Sequence, residues 1–157
     1  MIKKFVVVSV LICMALAVTL TGCGSSAAKT PTVAEIVQKI KQASDISQMH
    51  VADAAKLKQL YGINSSDLKD FALYTASSYI KADEIGVFEA KDASGVDTIK
   101  ADVTKRIDAQ AQSFKGYLPN QYYLIQHNIL EVKGDYVILI ISKDAQKISS
   151  AVDQAFN

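Results

Sequence analysis

Apolar residues recur every three or four positions in four stretches of the chain, and this spacing predicts four amphipathic α-helices. The first helix begins near Thr32, because Thr32 and Glu35 match a capping box. Gly62 and Gly116 predict where the second and third helices end. The polar residues predicted to begin the other three helices are Asp53, Ser94 with Asp97, and Asp144. The apolar stripes run over Val33–Ile40, Ala54–Leu60, Val96–Phe114 and Ala145–Phe156.

Alternating apolar and polar residues between these helices predict two β-hairpins. In the first hairpin, residues 71–77 and 85–90 form strands that are joined by a polar loop. In the second, residues 122–132 and 136–141 meet at Gly134-Asp135, a two-residue turn with glycine first. Two hairpins favour an antiparallel sheet over a parallel one.

The predicted fold is therefore α+β, with one four-stranded antiparallel sheet from the two hairpins and helices packed on one face. This single domain spans residues 32–157 and begins with the first helix. The run Tyr136–Ile141 is apolar at every position, which is typical of a central strand covered on at least one side by helix. Residues 64–67 are turn formers and predict a brief helical turn, whereas the pattern over residues 45–51 is ambiguous.

The N-terminal segment has the layout of a secretory signal, because two lysines precede an almost unbroken apolar run from Phe5 to Leu20. The run ends in Leu20-Thr21-Gly22-Cys23, which resembles the lipobox of bacterial lipoproteins. In that family a diacylglyceryl group is attached to the cysteine, and the peptide is cut just before it. The resemblance implies that Leu20, Thr21 and Gly22 are recognised by the signal peptidase and that residues 1–22 are removed. Residues 23–31 would then be the acylated Cys23 and a flexible tether.

The alternative for this segment is an uncleaved membrane-spanning helix. Its apolar run is shorter than the roughly 20 residues that a span needs, and Gly22, Gly24, Ser25 and Ser26 do not continue it. Two acyl chains give stable anchoring, since each buried methylene contributes about 0.8 kcal/mol. We therefore expect an extracytoplasmic domain that is attached to the cell membrane through its lipid anchor.

Charge and cysteine content narrow the possible partners and the chemistry. The chain has 17 basic and 16 acidic residues, and this near-neutral balance argues against a nucleic-acid partner. There are two cysteines, Cys13 in the signal and Cys23 at the predicted acylation point. The domain after Cys23 therefore has no pair of thiols for an internal disulfide.

The sequence predicts no catalytic residue, metal site or cofactor. His50 and His127 have no Cys, His or Asp at metal-ligand spacing beside them, whereas zinc needs three or four convergent ligands. Asp83, Glu84 and Asp92 are candidate carboxylates for acid and base chemistry if they converge. Turn formation and helix capping explain the same three residues without a function.

A tyrosine-rich segment is the candidate binding surface. Tyr117, Tyr122 and Tyr123 flank Asn120 and Gln121. Such rings bury area while hydroxyl and amide groups fix orientation, so the segment suits a sugar, a peptide or a partner protein. In the alternative interpretation, Tyr122 and Tyr123 point to opposite faces of a strand and one of them covers the core.

Several short motifs together resemble a known family. They are Leu60-Tyr61-Gly62-Ile63, Ala82-Asp83-Glu84-Ile85, Val87-Phe88, Ala90-Lys91-Asp92, Tyr117-Leu118-Pro119 and Val132-Lys133-Gly134-Asp135-Tyr136-Val137. In this order, from about Leu57 to the C-terminus, the chain resembles bacterial lipoproteins of domain-of-unknown-function family 4358. The resemblance implies an extracytoplasmic α+β lipoprotein of low-GC Gram-positive type bacteria, with no established activity.

Together these features predict a membrane-anchored, non-enzymatic binding or accessory module of the cell envelope. Its expected partner is an envelope protein or a cell-wall polymer, bound through the tyrosine-rich segment. The alternative is a small-ligand carrier or a hydrolase that uses the surface carboxylates.

Overall fold

The computed structural model describes residues 30–157 of the chain, and the predicted signal peptide and Cys23 lie outside this part. The helices are α1 (Val33–Ala43), α2 (Ala54–Tyr61), α3 (Ala93–Phe114), α4 (Pro119–Gln126) and α5 (Ala145–Phe156). The strands are β1 (His50–Ala52), β2 (Leu68–Thr75), β3 (Glu84–Ala90), β4 (Ile129–Lys133) and β5 (Tyr136–Ile141). A short 3-10 turn, Ser65–Asp67, confirms the helical turn predicted before β2.

The sheet is antiparallel throughout and has the strand order β1-β2-β3-β5-β4. The α+β class and the two hairpins are thus confirmed, but the prediction of four strands was wrong because β1 adds a fifth. In this strand Val51 pairs with Tyr74 of β2. A three-residue strand is too short to show the alternation on which the sequence prediction depends.

Helices cover both faces of the sheet, so the prediction of helices on one face was wrong. Phe88 and Leu139 pack towards α2, α3 and α4, whereas their chain neighbours Val87 and Ile138 pack towards α1 and α5. Successive side chains of a strand point to opposite faces, and every residue of β3 and β5 is buried. Strands that are buried on both sides need cover on both sides.

Helix ends follow the sequence signals in part. The capping box of Thr32 with Glu35 begins α1 as predicted, and Gly62 ends α2 with a φ of 74°. The predicted start of α3 at Ser94 was wrong, since Asp92 caps that helix and accepts a hydrogen bond from the Ser94 amide. Asp144 precedes α5, but its carboxylate accepts from the Ser44 hydroxyl and forms no cap.

The predicted strand over residues 122–132 was wrong in its first half. Residues Pro119–Gln126 form α4, with proline in the first turn where its missing amide costs nothing. His127 follows this helix as its C-terminal cap and does not lie in a strand. The strand begins only at Ile129, and the turn to β5 at Gly134 has the positive φ of 57° that favours glycine.

The hairpin of β2 and β3 is joined by residues 76–83, which form a long surface loop. Ser77 was predicted at the end of a strand, but it lies in this loop beside Ser78, and both residues are exposed. The Ala76 amide donates to the Asp83 carbonyl at 2.8 Å and closes the base of the loop. Residues of this loop, of β1 and of α3 line one open cleft.

Candidate functional site

An open cleft in the structure has a volume of 590 Å³, within the range of small-molecule sites. One wall is β1 with the start of α2, a second is the loop 76–83, and a third is the C-terminal half of α3. Among the residues that line the cleft are Val51, Asp53, Lys56, Tyr79, Lys81, Asp83, Glu84, Arg106, Gln110, Ser113 and Phe114.

A buried ion pair forms the floor of this cleft. Glu84, the first residue of β3, is only 1% exposed. Its Oε2 accepts from Nη2 of Arg106 at 2.6 Å, and its Oε1 accepts from Nε of the same guanidinium at 3.0 Å. The Tyr61 hydroxyl donates to the same Oε1 at 2.5 Å. Glu84 therefore holds the guanidinium in a two-point contact, which fixes its orientation.

Strand alternation and helix ends bring these three residues together. Glu84 shares the face of β3 that carries Phe88, since residues two and four apart in a strand point the same way. Tyr61 is the last residue of α2, and its ring lies 5.1 Å from the Phe88 ring. Arg106 reaches the carboxylate from the middle of α3.

Burial and the charge of Glu84 determine the protonation states of Tyr61 and Arg106. Burial first, and the charge of Glu84 second, raise the pKa of the Tyr61 hydroxyl well above its ordinary value. Burial by itself lowers the pKa of Arg106, but the hydrogen bonds and charge of Glu84 outweigh it and raise that pKa overall. Tyr61 thus stays a donor and Arg106 stays charged near neutral pH. Neither residue has the pKa of a general base at that pH.

Two glutamines hold the loop 76–83 against the helices. The Gln110 Nε2 donates to the Ala82 carbonyl at 3.0 Å, and the Ala82 amide donates to Gln121 Oε1 at 2.8 Å. Gln110 is only 6% exposed, and its Oε1 has no hydrogen-bond partner among the residues that the structure describes. A buried acceptor without a donor is costly, and this one belongs to a residue that lines the cleft.

The three candidate carboxylates do not converge. Asp83 is half-buried and lines the cleft, and Glu84 is occupied by Arg106 and Tyr61. Asp92 lies beyond the other end of β3, and the length of that strand is roughly 20 Å. Hydrogen bonds from the Ser94 side chain and backbone lower the pKa of Asp92, as expected for a helix cap.

The tyrosine-rich segment is divided between core and surface. Tyr122 packs against the hydrophobic core, and Gln121 is used by the Ala82 amide. Tyr117 is 75% exposed and Asn120 is also exposed. The Tyr123 ring is exposed and stacks on His127, with the two ring centres 3.8 Å apart. None of these five residues lines the 590 Å³ cleft.

Two other polar features are less suited to a ligand. A hollow of 400 Å³ beside Lys41 and Tyr74 has no buried charged or amide side chain in its described lining. Glu89 is buried on the opposite face of β3 from Glu84, and Lys69 Nζ contacts it at 2.6 Å. Glu89 lines neither cavity.

Sequence reasoning missed Arg106, Gln110 and the loop 76–83 as parts of one site. A signal was present in α3. Arg106 and Gln110 come three and seven residues after the buried Val103, where helical spacing places the apolar stripe. Polar residues at such positions are typical of buried networks, but nothing in the sequence names their partners.

Within residues 30–157, no group of three or more His, Cys, Asp or Glu side chains is arranged to hold a metal ion. In the same range, no helix has both the length and the apolar character needed to cross a bilayer.

Comparison with known proteins gives one match. No curated protein and no solved structure is significantly similar to the chain. The family model described as "Domain of unknown function (DUF4358)" matches residues 42–142, which include all five strands and the whole lining of the cleft. The match covers more than half of the chain, and the protein therefore belongs to the DUF4358 family.

Proposed function

We propose that this protein is a non-catalytic binding module of the cell envelope that takes a ligand into the cleft between α3 and the loop 76–83. The observation that carries the proposal is the pairing of a preformed cleft with a rigid polar floor. Glu84 and Tyr61 orient the guanidinium of Arg106, and Gln110 presents a buried oxygen without a partner. Preorganised polar groups in a concave site are what ligand recognition needs.

Hydrolysis by the candidate carboxylates is less well supported than binding. Acid and base catalysis needs groups that both reach the reacting atoms and exchange protons near neutral pH. Glu84 already accepts three hydrogen bonds, and Asp92 serves a helix end far from the cleft. Asp83 alone among the three remains available at the cleft.

The proposal also includes a lipid anchor at Cys23, supported by the sequence resemblance described above. We expect labelled palmitate to be incorporated into the wild-type chain in its bacterial host and the protein to sediment with membranes. Cys23→Ala should lose the label, because the Cys23 thiol is the predicted point of attachment for diacylglycerol. A labelled Cys23→Ala protein would contradict the anchor without affecting the cleft.

Whether a ligand binds in the cleft is tested by filling the cleft with a large side chain on α3. Ser113→Trp places an indole on an exposed residue of the lining, whereas Gln112→Trp places the same group on the adjacent exposed residue outside it. Full-length protein is heated with fractions of an envelope extract. A ligand present at about 100 times its Kd stabilises the folded state by about 2.7 kcal/mol. We expect one fraction to raise the Tm of wild type and Gln112→Trp by several degrees, but not that of Ser113→Trp.

The proposal fails if no fraction shifts the wild-type Tm, or if the two tryptophan variants respond equally. Comparing the two variants without extract corrects for any effect of tryptophan on α3 itself.

A further inference from the structure

We propose that the ligand of the cleft is a neutral sugar unit, a pyranose ring bound by Arg106, Gln110 and Tyr79. This inference rests on the proposed binding function and specifies its chemical class. It depends on three properties of the cleft: balanced charge, an unpaired acceptor beside an oriented donor, and an exposed aromatic ring at the mouth.

Charge in the cleft is balanced. Lys56, Lys81 and Arg106 line it together with Asp53, Asp83 and Glu84. The guanidinium is already neutralised by Glu84 at 2.6 Å, so an anionic ligand at Arg106 would also be repelled by that buried carboxylate. An uncharged acceptor, such as a hydroxyl, receives the hydrogen bond without this repulsion. The cleft therefore favours a neutral ligand over a carboxylate or a phosphate.

Gln110 and Arg106 would best bind a ligand that has a hydrogen-bond donor and an acceptor side by side. Gln110 Oε1 needs a donor, and its own Nε2 is held by the Ala82 carbonyl, so the amide cannot turn over without breaking that bond. Arg106 lies one helical turn earlier on α3 and offers only donors. A hydroxyl is both donor and acceptor, and a pyranose carries several on adjacent carbons. Neighbouring hydroxyls can therefore serve Gln110 and Arg106 at once.

Tyr79 supplies the apolar part of the site. Its side chain is fully exposed in the loop 76–83 and lines the cleft mouth, together with the half-exposed Leu60 and the buried Phe114 deeper in the lining. One face of a pyranose presents C–H groups that can stack on an exposed aromatic ring of this kind. A mixed lining of this kind matches the mixed surface of a sugar.

The test is saturation-transfer NMR on the purified full-length protein with four probes. They are methyl glucopyranoside, methyl glucuronide, N-acetylglucosamine and its β-1,4-linked tetramer. We expect saturation transfer to the neutral sugars and little to the glucuronide. Preference for the tetramer over the monosaccharide would identify a glycan as the source, and equal binding would identify free sugars. Both results support the neutral-sugar class.

Two tyrosine variants localise the binding. Tyr79→Ala should weaken binding by up to about tenfold, the upper value for one aromatic stacking contact. Tyr117→Ala removes an exposed ring outside the cleft and should have no effect. Both side chains are exposed, so neither variant endangers folding. Gln110→Met should weaken binding more than Tyr79→Ala does. The Tm of the Gln110→Met variant checks that it is folded.

The inference is overturned if none of the neutral sugars binds, if the glucuronide binds more tightly than the glucoside, or if Tyr79→Ala and Tyr117→Ala behave alike. Should Ser113→Trp still block an envelope ligand in the thermal assay, the binding function would stand and only the sugar class would be wrong.

Discussion

Arg106→Met is expected to lower the free energy of unfolding by about 3 kcal/mol. Removing one partner of a buried pair costs roughly 3 to 5 kcal/mol, since it leaves an uncompensated charge. Glu84 is 1% exposed and has no other cationic partner among the described residues, but the Arg106 side chain is 17% exposed, which favours the lower end of that range. Urea unfolding of the wild type and the variant at pH 7 measures the difference.

The neighbouring Lys105→Met is the matched control. Lys105 pairs with Asp102 on the surface of the same helix, and its side chain is 77% exposed, so its loss should change stability by less than about 1 kcal/mol. A triple variant, Tyr61→Phe with Glu84→Leu and Arg106→Met, replaces the whole network by apolar groups and should recover most of the loss. Equal effects of Arg106→Met and Lys105→Met would refute the assignment of a stabilising buried pair.

The same network explains the limit of sequence prediction here. Tyr61 and Arg106 lie 23 and 22 residues from Glu84 in the chain, and each belongs to a different element. Local patterns predicted α1, the long α3, the Gly62 stop and the Gly134 turn, because the determinants of those features lie within a few residues. The contact of three distant side chains depends on how helices dock on the sheet, which a periodic pattern does not specify.

The errors in the fold have a related cause. Residues 122–126 were predicted as strand because tyrosine and isoleucine favour strands, but Pro119 begins a helix whose Ile125 is buried in the core. Tertiary packing here overrides local preference. The fifth strand, β1, pairs with β2, a contact between segments that are distant in the chain. Since β1 is also one wall of the cleft, missing this strand meant missing the site.

Gly86→Ala is expected to destabilise the fold by about 1 to 3 kcal/mol, as overpacking does in a filled core. A Cβ at this residue would lie 2.5 Å from the Cε2 and Cζ atoms of Phe88. That ring is fully buried and packs against Tyr61, so it cannot move away without disturbing the network under the cleft. Urea midpoints of the single variants and of Gly86→Ala with Phe88→Leu measure the coupling. The shorter leucine should remove at least about 1 kcal/mol of the Gly86→Ala penalty.

Gly95→Ala makes the same chemical change in a different setting and should stabilise the fold, whereas Gly86→Ala destabilises it. Gly95 lies in the first turn of α3, where an added Cβ would meet only the Ala90 Cβ at an ordinary 3.7 Å. Alanine restricts the unfolded chain and favours the helix, so we expect a gain of up to about 1 kcal/mol. A destabilised Gly95→Ala, or a Gly86→Ala variant as stable as wild type, would show that close approach of Phe88 does not explain the glycine of β3.

If Gly86→Ala destabilises the fold and Gly95→Ala stabilises it, Gly86 is the residue that lets the Phe88 ring lie over the strand and support Tyr61. The cleft floor then depends on a glycine that touches no ligand.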